Sequence, residues 1–257
     1  MLELSALDQQ RFGFRVAKGT LKEPATGEAI TQAARKLGSR LAIVRIPARL
    51  LGSAQSLEAS GAVICDTLVY FRKMLGTAPT QSVPEGYICT HGTPGDADCL
   101  AALARSAFDG YVGHYHSDRR LPKSACDEIY ASWAGRCCSD PGAADYVHVV
   151  RTIPGQSSDA VAFAAIRRIS PDRVEIALNA VSPAHQGKGL IHRAKKGFGV
   201  PTGQWFESGA IPLPQSLPAG MNTQFLCRKG EDHRAGRSDE RAFLWNAYLL
   251  PHGYLRK

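Results

Sequence analysis

The chain has 257 residues, of which 44% are hydrophobic and 21% charged, and its formal net charge at pH 7 is +8. A chain of this size and hydrophobic content can bury one sizeable core or two smaller ones. No apolar run approaches the roughly 20 residues of a membrane span, and the first residues lack the features of a secretory signal. We therefore expect a cytoplasmic protein without a membrane-spanning helix.

The first 75 residues alternate between helical and extended patterns and predict a small α/β lobe. The predicted elements are helices over 31–37 and 54–60 and strands over 42–46 and 63–71. Residues 76–86 carry Pro79 and Pro84 and few residues that would enter a core, as is typical of a linker. The sequence thus predicts a lobe over 1–75, a linker over 76–86 and a second domain over 87–257.

A second series of elements begins near residue 87. It comprises predicted strands over 87–90, 146–152, 160–169 and 173–181 and predicted helices over 96–108 and 123–138. Pro171 and Asp172 separate two apolar runs and are a turn signal, so the last two strands are predicted to form an antiparallel hairpin.

A glycine-rich turn follows the last of these strands. Gly187 and Gly189 flank Lys188, and a helix can begin at Leu190. Glycines let the backbone approach phosphate oxygens, and the first free N–H groups of a helix point outward with the positive end of its dipole. The segment predicts an anion cradle, with an ordinary strand-turn-helix corner as the alternative.

This segment resembles the coenzyme A-binding motif of the GNAT acyltransferase superfamily. Gln186 and Gly189 match the motif in type and spacing, Val181 and Pro183 match upstream, and Ile191 replaces the family's Gly or Ala. The resemblance implies a GNAT α/β (α+β) fold with acetyl-CoA as cosubstrate. The residues implied for cofactor binding are Asn179 and Val181, toward the acetyl and pantetheine amides, and Gln186, Gly187, Lys188, Gly189, Leu190 and Ile191, toward the pyrophosphate.

Other segments resemble one branch of that superfamily, the TDP-fucosamine acetyltransferases of bacterial surface-glycan synthesis. The segments are 7–13, 41–46, 65–70, 118–122 and 125–133, and the stretch 90–98 followed by 100–108 is similar to the usual opening of a GNAT domain. The resemblance covers residues 1 to about 190 in order. It implies acetylation of an amino group on a nucleotide-linked sugar, with the N-terminal lobe shaping the acceptor side, and it leaves a homodimer open.

The C-terminal quarter departs from the family pattern. Residues 200–220 contain four prolines and no clear period, so 223–227 is the predicted fifth strand. A helix that begins at 239–242 loosely resembles the family's last helix. This quarter is either strongly diverged or altered, for instance by a shift of reading frame.

Acetyl transfer needs a group that takes a proton from the ammonium and a group that returns one to the departing thiolate. By resemblance, a tyrosine on the last helix is the acid, but Asn246 stands at that position. Tyr248 is therefore the predicted acid, with Tyr254 behind it, and Glu175 would reach the amine through water. The alternatives are half-buried aromatic side chains and a simple surface carboxylate.

The positive charge is concentrated toward the C-terminus, since residues 186–257 hold 11 Lys and Arg against 5 Asp and Glu. Such a region suits a cofactor and a substrate that carry phosphates. A nucleic-acid binder would have similar electrostatics, but no recognisable reader motif accompanies the charge. The other alternative is a coenzyme A-binding or partner-binding domain that has lost catalysis.

The cysteine and histidine patterns predict no metal site. Cys137 and Cys138 are adjacent, and His114 and His116 lack cysteines at zinc-finger spacing. Seven cysteines without a regular framework also fit a reducing compartment.

Overall fold

The computed structural model describes residues 2–74, 83–153, 159–170, 173–191, 204–212 and 242–249. Its helices are α1 (Ala6–Phe12), α2 (Gly27–Lys36), α3 (Leu51–Ala59), α4 (Ala97–Ala107) and α5 (Lys123–Cys137). Its strands are β1 (Glu3–Leu4), β2 (Val16–Thr20), β3 (Leu41–Pro47), β4 (Val63–Met74), β5 (Tyr87–His91), β6 (Tyr146–Thr152), β7 (Ala160–Ser170), β8 (Arg173–Val181), β9 (Gln204–Pro212) and β10 (Ala242–Leu249).

The strands of the described chain form one sheet in the order β1-β2-β3-β10-β4-β9-β8-β7-β6-β5. The pairs β2–β3 and β8–β9 are parallel, and the remaining pairs in this order are antiparallel. Parallel neighbours need a crossover connection, which α2 provides between β2 and β3. The result is a mixed α+β architecture.

The N-terminal helices cover the sheet near β2 and β3. Ser5 and Thr26 cap α1 and α2 by accepting hydrogen bonds from backbone N–H groups in the first turn, which satisfies donors that the helix leaves open. Ile30 of α2 and Leu57 of α3 then pack with Val44 of β3 in one apolar cluster. Burial of this cluster holds the two helices on the sheet.

The helices α4 and α5 pack together on the strands of the second half. Leu100 of α4 and Ala134 of α5 are fully buried against Val149, Phe163 and Leu178 of β6, β7 and β8. This packing stabilises β8, the strand that precedes the glycine loop.

The elements predicted between residues 31 and 181 are present, with ends displaced by a few residues, and β7 and β8 form the predicted hairpin. No element was predicted over 200–220, but Gln204–Pro212 forms the strand β9, which runs beside β4. The predicted C-terminal helix is wrong over Ala242–Leu249, because this segment is the strand β10. The predicted strand at 223–227 lies outside the described residues.

β10 is an inner strand of the sheet. It pairs antiparallel with β3 on one side and with β4 on the other. Both edges of its backbone therefore find ladder partners, which favours an extended segment over the helix that local sequence suggested.

The division into a lobe over 1–75, a linker over 76–86 and a domain over 87–257 stays a prediction.

Candidate functional site

The loop after β8 turns sharply at two glycines. A 3₁₀ turn over Pro183–His185 leads the chain away from the strand, and Gly187 and Gly189 have φ angles of 74° and 69°. These angles lie in the left-handed region, which glycine adopts without strain. Leu190 then enters the core with 2% of its surface exposed and anchors the end of the loop.

The glycines leave open space beside the loop. A Cβ atom added to Gly187 or Gly189 would meet no other atom of the described chain within 4 Å. Within the described ranges, the backbone N–H groups of Gly187, Lys188 and Gly189 donate to no backbone carbonyl. Open N–H groups beside a lysine can bind phosphate oxygens. The loop has both the donors and the space for an anion.

The hydroxyl of Tyr87, at the start of β5, contacts two side chains of this loop. Lys188 Nζ donates a hydrogen bond to the Tyr87 hydroxyl at 3.0 Å, and the same hydroxyl lies 2.9 Å from His185 Nδ1. Gln186 Nε2 donates to the Val181 carbonyl oxygen at 3.4 Å. Tyr87 could not be assigned to this loop from the sequence, because it lies 101 residues from Lys188 and belongs to no recognisable motif.

The pairing of β8 with β9 ends before β8 reaches the loop. Its pairing with β7 shifts by one residue at Ala177, which marks a β-bulge. Its parallel pairing with β9 covers Arg173 to Ile176 and stops there, although β8 continues to Val181. A bulge bends its strand, and the pairing between these two parallel strands has a gap beyond Ile176 although both strands continue.

Glu175 lies half-buried on β8 just before the bulge, opposite Arg167 of β7. Burial raises the pKa of its carboxyl group, while the positive charges of Arg167 and Arg45 act in the opposite direction. A carboxyl group with a raised pKa exchanges its proton closer to neutral pH, which is a property that general acids and bases use.

A buried carboxylate faces a histidine on the N-terminal side of the sheet. Asp66 of β4 is 1% exposed, and its Oδ2 lies 3.3 Å from Nδ1 of His114, whose side chain is 16% exposed. His114 begins a 3₁₀ turn, His114–Ser117, between α4 and α5. A carboxylate at this distance from one imidazole nitrogen favours one orientation of the ring and leaves the other nitrogen for contact with a substrate.

Two tyrosines lie within electrostatic reach of Asp66, and Arg45 acts on one of them. The rings of Tyr111 and Tyr130 meet edge-on with 5.2 Å between their centroids. Burial raises the pKa of both hydroxyls, and the negative charge of Asp66 raises both further. The positive charge of Arg45 lowers the pKa of both Tyr130 and Glu175, against the larger effect of burial. This polar cluster consists of Arg45, Asp66, Tyr111, His114 and Tyr130.

A buried network fixes the turn that carries His114. The hydroxyl of Tyr115 donates to Asp8 Oδ1 at 3.0 Å and accepts from Lys18 Nζ at 2.8 Å. Burial opposes ionisation of Asp8, but Lys18 and the hydrogen bonds hold its pKa below the ordinary value. Two elements that the sequence analysis missed, α1 and β2, therefore position His114.

The polar cluster and the end of β8 lie on either side of the end of β9. Asp66 pairs with Pro212, the last residue of β9, and with Asn246 of β10. Asn246 pairs on its other side with Arg45 of β3. The position where resemblance placed a tyrosine thus lies in register between two members of the polar cluster.

The structure brings some of the predicted site residues together and places others apart. It brings together the end of β8, with Asn179 and Val181, and the loop over 186–191, with Glu175 before the bulge. Tyr248 lies on β10 in register with β3 and β4, so its predicted position on a helix is wrong. Tyr254 lies outside the described residues.

The comparisons with known proteins support a fold. No protein-family model and no curated protein matches the sequence. A GCN5-related N-acetyltransferase from Sphaerobacter thermophilus aligns over 97% of this chain and 76% of its own, with 11% identity and a TM-score of 0.54. The GCN5-related N-acetyltransferase from Kribbella flavida aligns over 94% and 83%, with 16% identity and a TM-score of 0.51.

A functionally unknown conserved protein from Staphylococcus epidermidis also aligns, over 96% of this chain and 90% of its own, with 13% identity and a TM-score of 0.50. Identities this low establish the fold alone. The chain has the fold of the GCN5-related N-acetyltransferases, and the GNAT α/β (α+β) fold predicted from the sequence is confirmed.

No three or more His, Cys, Asp and Glu side chains in the described ranges are grouped so that they could hold a metal ion. None of the helices in the same ranges has the length and apolarity that crossing a membrane requires.

Proposed function

We propose that the protein transfers an acetyl group from acetyl-CoA to a primary amine. The observation that carries this proposal is an open glycine loop at the end of a strand whose pairing with its parallel neighbour stops before the loop. Acetyl-CoA supplies a thioester at the end of a narrow pantetheine arm, which starts from a pyrophosphate. The loop suits the pyrophosphate, and the gap between β8 and β9 suits the arm.

The proposed binding site for acetyl-CoA, which is the donor side of the reaction, consists more of backbone groups than of side chains. Open N–H groups and the Lys188 ammonium would bind the pyrophosphate, whereas the buried Leu190 side chain only anchors the loop. The end of β8 would meet the acetyl and pantetheine amides and stabilise the oxyanion of the reacting carbonyl. The proposed contact residues are Asn179, Val181, Gln186, Gly187, Lys188, Gly189, Leu190 and Ile191.

The polar cluster is the proposed binding site for the amine, which is the acceptor side of the reaction. Asp66 would orient His114, and His114 Nε2 would take the proton that the substrate ammonium must lose before it attacks. A buried carboxylate and the face of a tyrosine ring also attract an ammonium group. This arrangement favours a cationic acceptor next to the cluster.

The departing thiolate needs a proton donor. Tyr248 remains the proposed acid from its position on β10, with Tyr254 as the next candidate. Glu175 is a proposed second route for proton transfer through water, which its raised pKa supports.

The finer identity of the acceptor comes from the resemblance alone. We propose an amino group on a nucleotide-linked sugar, in the cytoplasm, with neither nucleic acid nor a membrane as partner. The homodimer also remains a proposal.

A catalytically impaired coenzyme A-binding domain is the second candidate. It is favoured by one observation, which is that Ala242–Leu249 forms a strand where resemblance placed the helix with the catalytic tyrosine. In that case the chain would bind coenzyme A but would not transfer an acetyl group to an amine.

An acceptor screen separates the two candidates. The protein is incubated with acetyl-CoA and a panel of amines, including amino-sugar nucleotides, and the products are read by mass spectrometry together with free thiol. The proposal predicts acetylated amine and thiol in equal amounts. Saturable coenzyme A binding without transfer to any amine would support the second candidate, and absence of binding would contradict both.

A further inference from the structure

We propose that His185 is a further binding residue of the acetyl-CoA site proposed above, on which this inference rests, and that its Nε2–H donates to a phosphate oxygen of coenzyme A. His185 ends the 3₁₀ turn Pro183–His185, directly before the glycine loop, and is half-buried. A phosphate oxygen only accepts hydrogen bonds. The position of the imidazole hydrogen therefore decides whether the ring attracts that oxygen or repels it.

The hydroxyl of Tyr87 links His185 to Lys188. Its oxygen lies 3.0 Å from Lys188 Nζ and 2.9 Å from His185 Nδ1. The rings of Tyr87 and His185 meet edge-on, with 5.8 Å between their centroids, and Lys188 Nζ lies 5.7 Å from the centroid of the Tyr87 ring. Because Tyr87 belongs to β5, these contacts hold the imidazole from a second element of the fold.

The lysine decides the direction of this chain of hydrogen bonds. An ammonium group can only donate, so the Tyr87 oxygen accepts from Lys188 and its hydroxyl hydrogen remains for another acceptor. If that hydrogen goes to His185 Nδ1, the two bonds run head to tail and strengthen each other. If Nδ1 donated instead, it would compete with a cation for the same oxygen. The first arrangement is therefore favoured.

This direction leaves a donor on the far side of the imidazole. A neutral ring that accepts at Nδ1 carries its hydrogen on Nε2, and Tyr87 leaves Nε2 to other partners. Open space begins two residues on, at Gly187, where an added Cβ atom would meet no other atom of the described chain within 4 Å. A hydrogen bond to an ionised oxygen is stronger than one between neutral groups. His185 would thus add a side-chain donor to the anion cradle.

The alternative is a solvated histidine whose contact with Tyr87 only stabilises the loop. Loss of the imidazole would then disturb the loop, but the effect would not depend on which ring nitrogen carries the hydrogen. Two measurements separate these cases. They are the tautomer of the ring and the recovery of affinity by another side chain that has a donor.

The first measurement is nitrogen NMR of the histidine rings in the full chain, with His185→Leu to assign the His185 signals. At about pH 8.5 an ordinary imidazole is neutral and an ordinary lysine is charged. We expect the wild-type ring to carry its hydrogen on Nε2, and both tautomers to be populated in Tyr87→Phe. Tyr146→Phe is the matched control, because Tyr146 also meets a histidine ring edge-on, that of His148. It lies at the end of β6 opposite to the residue that pairs with Tyr87.

The second measurement is calorimetric titration of coenzyme A. His185→Leu should bind about five- to tenfold more weakly than the wild type, because it loses a hydrogen bond to a charged group. His185→Gln, whose amide can donate from about the same distance along the side chain, should recover part of this affinity. Tyr87→Phe should bind about twofold more weakly, since only about half of its rings have the competent tautomer. Tyr146→Phe should bind as the wild type does.

A titration of 3′-dephospho-coenzyme A identifies the phosphate group. An equal loss in His185→Leu with both ligands would assign the contact to the pyrophosphate, and a loss confined to coenzyme A would assign it to the ribose phosphate. Either result supports a phosphate contact of His185.

Two results would overturn the inference and leave the proposed acetyl transfer standing. They are a wild-type ring with its hydrogen on Nδ1 and an unchanged coenzyme A affinity in His185→Leu. Absence of coenzyme A binding to the wild type would instead overturn the acetyl-CoA site, and the role of His185 with it. Equal thermal midpoints show that the variants are folded.

Discussion

The glycine loop and the polar cluster lie at two sides of the same strands but are built in different ways. The loop is one contiguous segment with open N–H groups and a lysine. The polar cluster is assembled from β3, β4, the connection between α4 and α5, and α5 itself, and it contains the buried carboxylate of Asp66. One region suits an anion and the other suits a cation, which matches a phosphate-bearing donor and an amine acceptor.

Replacement of His114 should give the largest loss of activity. His114→Gln removes the proposed proton acceptor, so turnover should fall by about 10²–10⁴-fold while coenzyme A affinity stays unchanged. His116→Gln is the matched control, because His116 belongs to the same turn but lies 3.0 Å from Asp127 instead of Asp66. Steady-state thiol release measures turnover. An equal loss in both variants would mean that the turn, and not the imidazole, is responsible.

Tyr248→Phe should lower turnover by about 10²-fold if this hydroxyl returns the proton to the thiolate. The affinity for coenzyme A should remain, since β10 does not border the glycine loop. Single-turnover kinetics separates this chemical step from binding. A fully active variant would remove Tyr248 from the mechanism and direct attention to Tyr254.

Glu175→Gln should have a smaller effect, about tenfold, because Glu175 would act through water. Its pKa is raised by burial, so the carboxylate is lost as the pH falls through that raised value. Wild-type activity should therefore fall at mildly acidic pH, and the variant should not show that fall. Glu58→Gln is the control, because burial also raises the pKa of Glu58. Identical pH profiles in all three proteins would contradict the role of Glu175.

Lys188→Gln should weaken coenzyme A binding by only a few-fold, because an exposed charge is screened by salt. The affinity of the variant should also depend less on ionic strength than that of the wild type. Tyr87→Phe removes the hydroxyl that accepts from Lys188 and should have an intermediate effect. Titrations at two salt concentrations test this. Unchanged salt dependence in Lys188→Gln would exclude a direct contact with the phosphates.

The sequence predicts best what lies close together along the chain. The glycine loop and the β7–β8 hairpin are local, so spacing and turn residues were enough to predict both. The polar cluster was missed because Asp66 and His114 meet only through the tertiary fold. Tyr87 was missed for the same reason.

The strands of the C-terminal quarter were mispredicted because their partners are distant. β10 takes its extended form between β3 and β4, and β9 lies between β4 and β8. Tertiary pairing of this kind overrides local propensity. By contrast, α1 did leave a signal that was overlooked, since Ser5 caps it and Gly13 ends it in a left-handed conformation.

Calorimetric titration of coenzyme A into Gly189→Val tests the central claim most directly. Gly110→Val is the matched control, because Gly110 also has a positive φ, 70°, and open space where a Cβ would lie. Both variants therefore carry the same backbone strain. The account predicts that coenzyme A binding is lost in Gly189→Val, where the side chain fills the anion cradle, and is retained in Gly110→Val. Equal affinity of wild type and Gly189→Val would contradict it.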